Sequence, residues 1–182
     1  MAPIGSLITL LIAGLAVASP APVQKRELIT ADLIISNVDG IDNGVEHLRS
    51  HVAAYDGSLL SASPLVGDFL EITVANRAGF TNANLKAAPF DAADSTRIVD
   101  FVIDSVGHSI PAAVKETVAK KELFVENGQG GLISGSLNVL LYEHDSFSAA
   151  LQKKISADQV RAQAVVDKIH NAIQSGIDAF AA

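Results

Sequence analysis

The sequence of 182 residues predicts an all-α, antiparallel bundle of about five helices that follows a cleaved signal peptide. Two observations support this prediction. Apolar residues recur alternately four and three residues apart over long stretches, which is the spacing of one face of an α-helix. No segment shows the strict apolar–polar alternation of a half-buried strand. Consecutive helices joined by short turns pack as antiparallel neighbours.

The N-terminal residues are predicted to be a targeting segment. Leu7–Val17 is an apolar run that is too short to span a bilayer, which needs ~20 residues. It is followed by a small-x-small sequence that suits signal peptidase. We therefore predict a signal peptide over 1–18, a short propeptide or linker over 19–26 that ends in the dibasic pair Lys25-Arg26, and a helical-bundle domain over 27–182. The chain is expected to be secreted.

The first helix is predicted over Ile34–Tyr55. Its polar face carries mostly charged and amide side chains, and Asp56-Gly57 ends it with residues that favour turns. The second helix is expected to begin at Ser63-Pro64, because Ser is a preferred N-cap and Pro is tolerated in the first turn. The apolar stripe of the first helix is Ile34, Val38, Ile41, Val45, Leu48, Val52 and Tyr55, and that of the second is Val66, Phe69, Leu70, Thr73, Val74 and Ala78.

The second helix is expected to end near Gly79, and Phe80–Pro89 is either a frayed continuation or a loop. A third helix begins near Asp91. Pro111 must kink or break it, because the proline ring clashes with the preceding turn. A further helical segment then continues to Asn127-Gly128. The stripe of the third helix is Ile98, Phe101, Val102, Ser105, Val106 and Ile110.

Two more helices are predicted after a flexible turn at Gly128–Gly131. The last one starts with a capping box, in which Ser156 is the N-cap and Gln159 stands three residues later. The stripe of the first of these helices is Ile133, Leu137, Leu140, His144, Phe147 and Leu151, and that of the last is Ala162, Val166, Ile169, Ile173, Ile177 and Phe180.

The composition excludes several classes of function. The chain has no Cys, which rules out disulfides, thiolate zinc sites and a Cys nucleophile. Its net charge of −7 argues against nucleic-acid binding. His47 and His51 lie one turn apart, but Glu does not directly follow the first His as a zinc-protease motif requires, so we expect two solvated histidines. With no grouping of nucleophile, base and oxyanion donor, we predict no catalytic residue, no metal site and no cofactor.

The predicted helical stripes are rich in small aliphatic residues, which either pack tightly or leave a narrow channel between helices. The sequence alone leaves both alternatives open. If a channel exists, the stripe geometry predicts a lining that consists of Ile41, Val45, Leu48, Val52, Leu70, Val74, Val102, Leu137, Leu141, Ile169 and Ile173.

Three polar side chains on or near these stripes are candidates to meet the head group of an apolar ligand. His144 occupies a core position, where it either bonds to a backbone carbonyl or points into the bundle. Ser105 and Thr73 are the other candidates, with Ser105 preferred. The alternative for both is that the hydroxyl group bonds to a carbonyl of its own helix, as helical hydroxyls usually do.

The layout resembles the fungal hydrophobic surface-binding protein family, whose relatives include cell-wall galactomannoproteins. The resemblance covers the chain from about Leu28 to Phe180 and rests on periodicity and local sequence. The segments that carry it are the helix Ile34–Tyr55, Ala119-Lys120-Lys121-Glu122-Leu123-Phe124 with the following Asn127-Gly128, and the closing helix Ile169–Phe180.

The resemblance implies a non-catalytic helical bundle that binds apolar ligands or surfaces. Some family members hold a fatty acid in an apolar tunnel, and others adsorb to hydrophobic solids and bring polyester-cleaving hydrolases to them. We therefore expect a long-chain fatty acid or other lipid, or a wax or polyester surface, as the partner, and a secreted hydrolase as a further one. The alternative is a structural cell-wall mannoprotein or antigen without a ligand cavity. The expected state is a secreted monomer, loosely associated with the wall.

Overall fold

The computed structural model describes residues 29–181, which form an all-helical bundle. No strand occurs within this range, so the predicted fold class is confirmed. The predictions for the signal peptide over 1–18 and the linker over 19–26 lie outside the described residues. The helices are α1 (Ala31–Ala54), α2 (Leu59–Leu85), α3 (Ala92–Asp104), α4 (Val106–Ala119), α5 (Lys121–Glu126), α6 (Gly130–Gln152) and α7 (Gln159–Ala181).

Side-chain pairs between helices give the direction of α2 relative to α1. The His47 ring contacts Glu71 at 3.1 Å. One turn later in α1, the His51 ring contacts Asp68 at 2.7 Å, and Asp68 lies one turn earlier in α2. The two helices are therefore antiparallel, as predicted.

The remaining helices continue the same up-and-down order. Ser109 of α4 donates to Asp42, and Arg49 pairs with Glu116 about two turns further along both helices, so α1 and α4 run parallel. Arg77 of α2 pairs with Glu143 of α6. The contacts of α7 with α6 place Val166 beside His144 and Gly176 beside Leu137, which makes these two helices antiparallel.

The predicted start of α2 at Ser63 is wrong. The helix begins earlier, because the Ser58 hydroxyl oxygen accepts a hydrogen bond from the Ser61 backbone N–H and caps the first turn. Pro64 then lies inside the helix, where its missing N–H costs one backbone hydrogen bond without ending the helix. The segment Phe80–Pro89, which the sequence left as either a continuation of the helix or a loop, is helical as far as Leu85.

The predicted break at Pro111 is also displaced. Pro111 lies within α4, and the chain leaves the helical conformation at Ser105, whose φ and ψ are −109° and −101°. A helix tolerates the loss of the single N–H hydrogen bond that Pro111 cannot make. The backbone angles of Ser105, in contrast, lie outside the α region and interrupt the helix. A second interruption at Lys120 separates α4 from α5.

The capping box predicted for the last helix does not form. Asp158 adopts a positive φ of 57°, so the chain turns there and α7 begins at Gln159. Ser156 instead donates its backbone N–H to the Ser95 hydroxyl of α3 at 3.0 Å. The Gln159 amide group donates to the Ile155 carbonyl rather than to an N-cap.

The core runs along the bundle axis, and the predicted stripe of α6 faces it at every position. None of the helices described between residues 29 and 181 combines the length and the hydropathy that a transmembrane span requires. The buried stripe residues of α6 are Ile133, Leu137, Leu140, His144, Phe147 and Leu151.

Candidate functional site

An apolar cavity lies inside the bundle, between α1, α2, α4, α6 and α7, with Val102 of α3 also in its wall. Its volume is about 90 Å³, whereas one enclosed water molecule needs only ~10–15 Å³. Seven residues of the predicted lining face it. They are Ile41, Val45, Leu48, Val102, Leu137, Ile169 and Ile173.

The cavity is elongated along the bundle. Its wall on α6 extends from Leu137 to Leu151, which corresponds to about 21 Å at the helical rise of 1.5 Å per residue. Its wall on α1 extends from Val38 to Leu48, or about 15 Å. One leaflet of a bilayer has a hydrocarbon thickness of about 15 Å, half of the full core. The cavity therefore matches the length of a single acyl chain.

Close helix contacts at glycines frame this space. A Cβ atom on Gly176 of α7 would lie 2.8 Å from the Val114 side chain, and one on Gly79 of α2 would lie 2.5 Å from the Phe147 ring. Real Cβ atoms do not approach neighbours so closely. Since Val114 and Phe147 both line the cavity, these two glycines set the distance of α7 and α2 from its walls.

Polar side chains gather from the middle of the α6 wall towards Leu151, in a region that we call the His144 end and define by Asn76, His144 and Ser148. The His144 Nε2 atom lies 3.2 Å from the Val166 carbonyl oxygen, which can only accept, so Nε2 carries the proton. Its Nδ1 atom lies 3.5 Å from the Ser148 hydroxyl. Burial lowers the pKa of His144, and the imidazole is therefore neutral at pH 7. The Asn76 amide donates one N–H to the Ile72 carbonyl at 3.1 Å.

A single polar side chain in the cavity wall, Thr117, marks the opposite end, the Thr117 end. Its hydroxyl group is buried and donates to the Ala113 carbonyl at 2.8 Å. The hydroxyl oxygen retains lone pairs that can accept a hydrogen bond. The neighbouring wall at this end is apolar and includes Leu48 and Ile173.

Four predicted lining residues do not reach the cavity. Leu70 and Val74 are 62% and 58% exposed, so their expected inward orientation is wrong. Phe69 and Ile72 take the inner face of α2 instead. Apolar residues surround α2 on several sides, which made the inner face ambiguous in the sequence. Val52 is buried outside the cavity wall, and Leu141 is only partly buried against the core.

Two of the three head-group candidates also lie elsewhere. The Ser105 hydroxyl donates to the Phe101 carbonyl at 2.6 Å and lies in a separate polar cleft between α1 and α4. The Thr73 hydroxyl donates to the Phe69 carbonyl at 2.8 Å. Both follow the alternative stated above, in which a helical hydroxyl bonds to its own backbone. Only His144 lines the cavity.

Three polar residues of the cavity wall were missed by sequence reasoning. Ser148 stands one turn after His144, and this spacing is a signal that points to the same face. Thr117 follows Val114 by three residues and shares its face in the same way. Asn76 follows Ile72 by one turn, but this relation is informative only once the inner face of α2 is known.

The structure shows no metal centre within 29–181, where no three His, Asp or Glu side chains converge on a site for an ion. His47 and His51 each contact a carboxylate of α2 rather than one another. The polar cleft that contains Ser105 is lined by residues of both charges, including Asp42, Arg49 and His108.

The sequence profile of the family described as hydrophobic surface binding protein A matches residues 31–153. Among curated proteins, the chain is similar to cell wall mannoprotein 1 of Aspergillus flavus, with 28% identity over 177 residues. That alignment covers 96% of this chain but only 61% of the relative. The chain therefore spans less than two thirds of the length of this relative.

Solved structures with the same fold include two determined with fatty acids. Afmp4p in complex with palmitic acid has a TM-score of 0.78 and 26% identity, and the match covers 82% of this chain and 99% of Afmp4p. Ligand binding domain 1 of the Penicillium marneffei MP1 protein, complexed with arachidonic acids, has a TM-score of 0.77 and 22% identity, covering 82% and 97%. At 22% identity, the second comparison shows the fold alone.

Proposed function

The chain belongs to the hydrophobic surface binding protein A family, and from this premise we propose that it binds a long-chain fatty acid in the bundle cavity without catalysing a reaction. The observation that carries the proposal is an apolar space inside the bundle, whose walls extend over the length of one acyl chain and include four polar side chains, Asn76, His144, Ser148 and Thr117. Each methylene group that leaves water for such a space contributes ~0.8 kcal/mol. The walls thus supply affinity, and the polar ends supply orientation.

The fatty-acid carboxylate is assigned to the His144 end. A carboxylate only accepts hydrogen bonds, so it needs donors. The Ser148 hydroxyl and the second N–H of the Asn76 amide are donors in the cavity wall, and the contact of Ser148 with His144 is long at 3.5 Å and easily exchanged. The neutral His144 ring is committed to the Val166 carbonyl through its N–H, and its Nδ1 accepts from Ser148 until a ligand carboxylate takes over that proton.

The comparison with Afmp4p supports this assignment of ligand class, because that protein was solved with palmitic acid and shares the fold at 26% identity. A structural wall protein without a ligand cavity, the alternative raised by the sequence, predicts a filled interior. The cavity favours the ligand-binding alternative.

A second function, adsorption to hydrophobic solids, is favoured by one observation. The side of α2 that faces away from the cavity carries an exposed apolar stripe, the α2 outer stripe, which consists of Leu59, Val66, Leu70 and Val74. An extracellular or cell-wall location accords with the family and with the A. flavus mannoprotein. We also propose that the protein acts as a monomer. At the surface to which it adsorbs, it would deliver a secreted hydrolase.

Native mass spectrometry of the protein from its own secretion medium, followed by denaturing mass determination, tests the proposal. We expect the native mass to exceed the denatured mass by that of one fatty acid, which is then identified in an organic extract. Equal masses, with no binding when palmitate is added to the same sample, would contradict the assignment to fatty acids.

A further inference from the structure

We propose that the cavity is built for an acyl chain with a polar group at each end, namely a carboxylate at the His144 end and a hydroxyl group at the Thr117 end. This inference rests on the proposed function and extends its ligand class to ω-hydroxy fatty acids. The polar side chains of the cavity wall lie in two places, with Asn76, His144 and Ser148 together and Thr117 apart from them along the bundle.

The separation of the two ends fits such a ligand. Ser148 and Leu137 lie eleven residues apart on α6, or about 16 Å along the helix. Leu137 meets Val114 across Gly176, and Thr117 lies three residues beyond Val114, which adds about 4.5 Å. The polar ends are therefore about 20 Å apart. That is the length scale of one extended acyl chain.

The hydrogen-bonding state of Thr117 selects the chemistry of the group that it meets. Its O–H proton is used by the Ala113 carbonyl, so the hydroxyl oxygen of this wall residue has only acceptor capacity left. A ligand hydroxyl can donate to this acceptor, whereas a carboxylate cannot. A terminal methyl group makes no use of it. The surrounding side chains, including Leu48 and Ile173, offer no competing partner.

The His144 end has the opposite character. Ser148 and Asn76 each have a donor that can turn to a ligand, which suits a carboxylate. The two ends thus differ in donor and acceptor balance, and a ligand with unlike ends binds in one orientation. Thr117 is a specificity-determining residue in this arrangement.

Affinities of hexadecanoate and ω-hydroxyhexadecanoate for four proteins test the inference by calorimetry. Wild type is expected to bind the two acids with dissociation constants within about threefold, because Thr117 compensates for the desolvation of the ligand hydroxyl. In Thr117→Val, which keeps the side-chain shape, the affinity for the ω-hydroxy acid should fall about tenfold more than the affinity for hexadecanoate. This difference corresponds to about 1.4 kcal/mol. Thr117→Ser keeps a hydroxyl group at this position and should keep the wild-type ratio of the two affinities.

Thr73→Val is the matched control, because Thr73 is also a buried threonine that donates to the carbonyl four residues earlier, but it lies outside the cavity wall. We expect it to leave both affinities unchanged. An unchanged ratio of the two affinities in Thr117→Val would overturn the inference while leaving fatty-acid binding intact. Failure of wild type to bind either acid would overturn both proposals.

Discussion

The two faces of α2 are both apolar, yet they serve different environments. The inner face places Phe69 and Ile72 in the cavity wall with Asn76 at its polar end. The outer face exposes Leu70 and Val74 to solvent. Only the inner face combines apolar surface with polar anchors, so it can select a ligand. The outer face offers apolar area without orientation, which suits a flat surface.

The largest effect is expected from filling the cavity. In Ala113→Phe, the new ring occupies the space next to Thr117 and excludes about six methylene groups of the ligand. At ~0.8 kcal/mol for each group, or about 5 kcal/mol in all, fatty-acid affinity should fall by about a thousandfold or more. Calorimetric titration with palmitate measures the loss. Ala119→Phe, on the exposed side of the same helix, is the control and should keep its affinity.

Two glycines of α2 are expected to give a smaller effect, which is on stability. The effect should differ in sign between the inner and the outer face of the helix. Gly79→Ala forces the new methyl group against the Phe147 ring and should lower the free energy of unfolding by ~1–3 kcal/mol. A methyl group at Gly67 would meet no neighbour within 4 Å, so Gly67→Ala should gain up to ~1 kcal/mol from helix propensity. Urea unfolding measures both. Equal changes in the two variants would show that the close contact at Gly79 is absent.

Replacing the donor at the His144 end should have a moderate effect. Ser148→Ala removes a hydrogen bond to the ligand carboxylate, and palmitate affinity should fall about tenfold, or ~1.4 kcal/mol. Ser105→Ala is the control, because that hydroxyl lies in the separate cleft between α1 and α4. A loss of affinity in Ser105→Ala but not in Ser148→Ala would place the head group outside the cavity.

The buried imidazole of His144 makes stability depend on pH. Burial lowers its pKa below the ordinary value of 6.5, so between these two values the unfolded chain binds more protons than the folded chain. Its contribution is fully present above about pH 6.5 and is lost as the pH falls towards the folded pKa. The stability advantage of wild type over His144→Gln should therefore shrink between about pH 7 and about pH 5, as measured by thermal unfolding. An advantage that grows on acidification would show a raised pKa instead.

The smallest effect on ligand binding is expected from the outer face. The double variant Leu70→Glu, Val74→Glu changes two exposed positions and should alter stability by less than ~0.5 kcal/mol for each substitution. Palmitate affinity should stay within about twofold of wild type, because neither side chain lines the cavity. Adsorption to polyester beads should fall, because the apolar stripe is then interrupted by charge. A large loss of palmitate affinity would mean that the outer face takes part in ligand binding.

The contrast between α6 and α2 shows how far the sequence predicts this structure. In α6 the apolar residues occupy one face, and every position that the periodicity predicted to face inward, from Ile133 to Leu151, is buried. In α2 apolar residues also cover the outer face, so the period alone favoured Leu70 and Val74 over Ile72. Hydrophobic periodicity locates a face only when the opposite face is polar.

The polar ends of the cavity were less predictable than its walls. His144 was identified because a titratable residue on an apolar stripe is unusual. Ser148 and Thr117 resemble ordinary helical hydroxyls in the sequence, and their role depends on how α4 and α6 are placed relative to each other. The break at Ser105 was missed because its backbone angles outside the helix region leave no signature in residue type, whereas the break before the last helix was predicted with the wrong geometry, since Asp158 turns the chain there.

The most direct test is nuclear magnetic resonance of the methyl-labelled protein with carbon-13 palmitate. The cavity account predicts intermolecular nuclear Overhauser effects from the acyl chain to the methyl groups of Ile41, Ile169 and Ile173, and none to those of Leu70 and Val74. Contacts of the acyl chain with Leu70 and Val74, and none with the interior isoleucines, would contradict it.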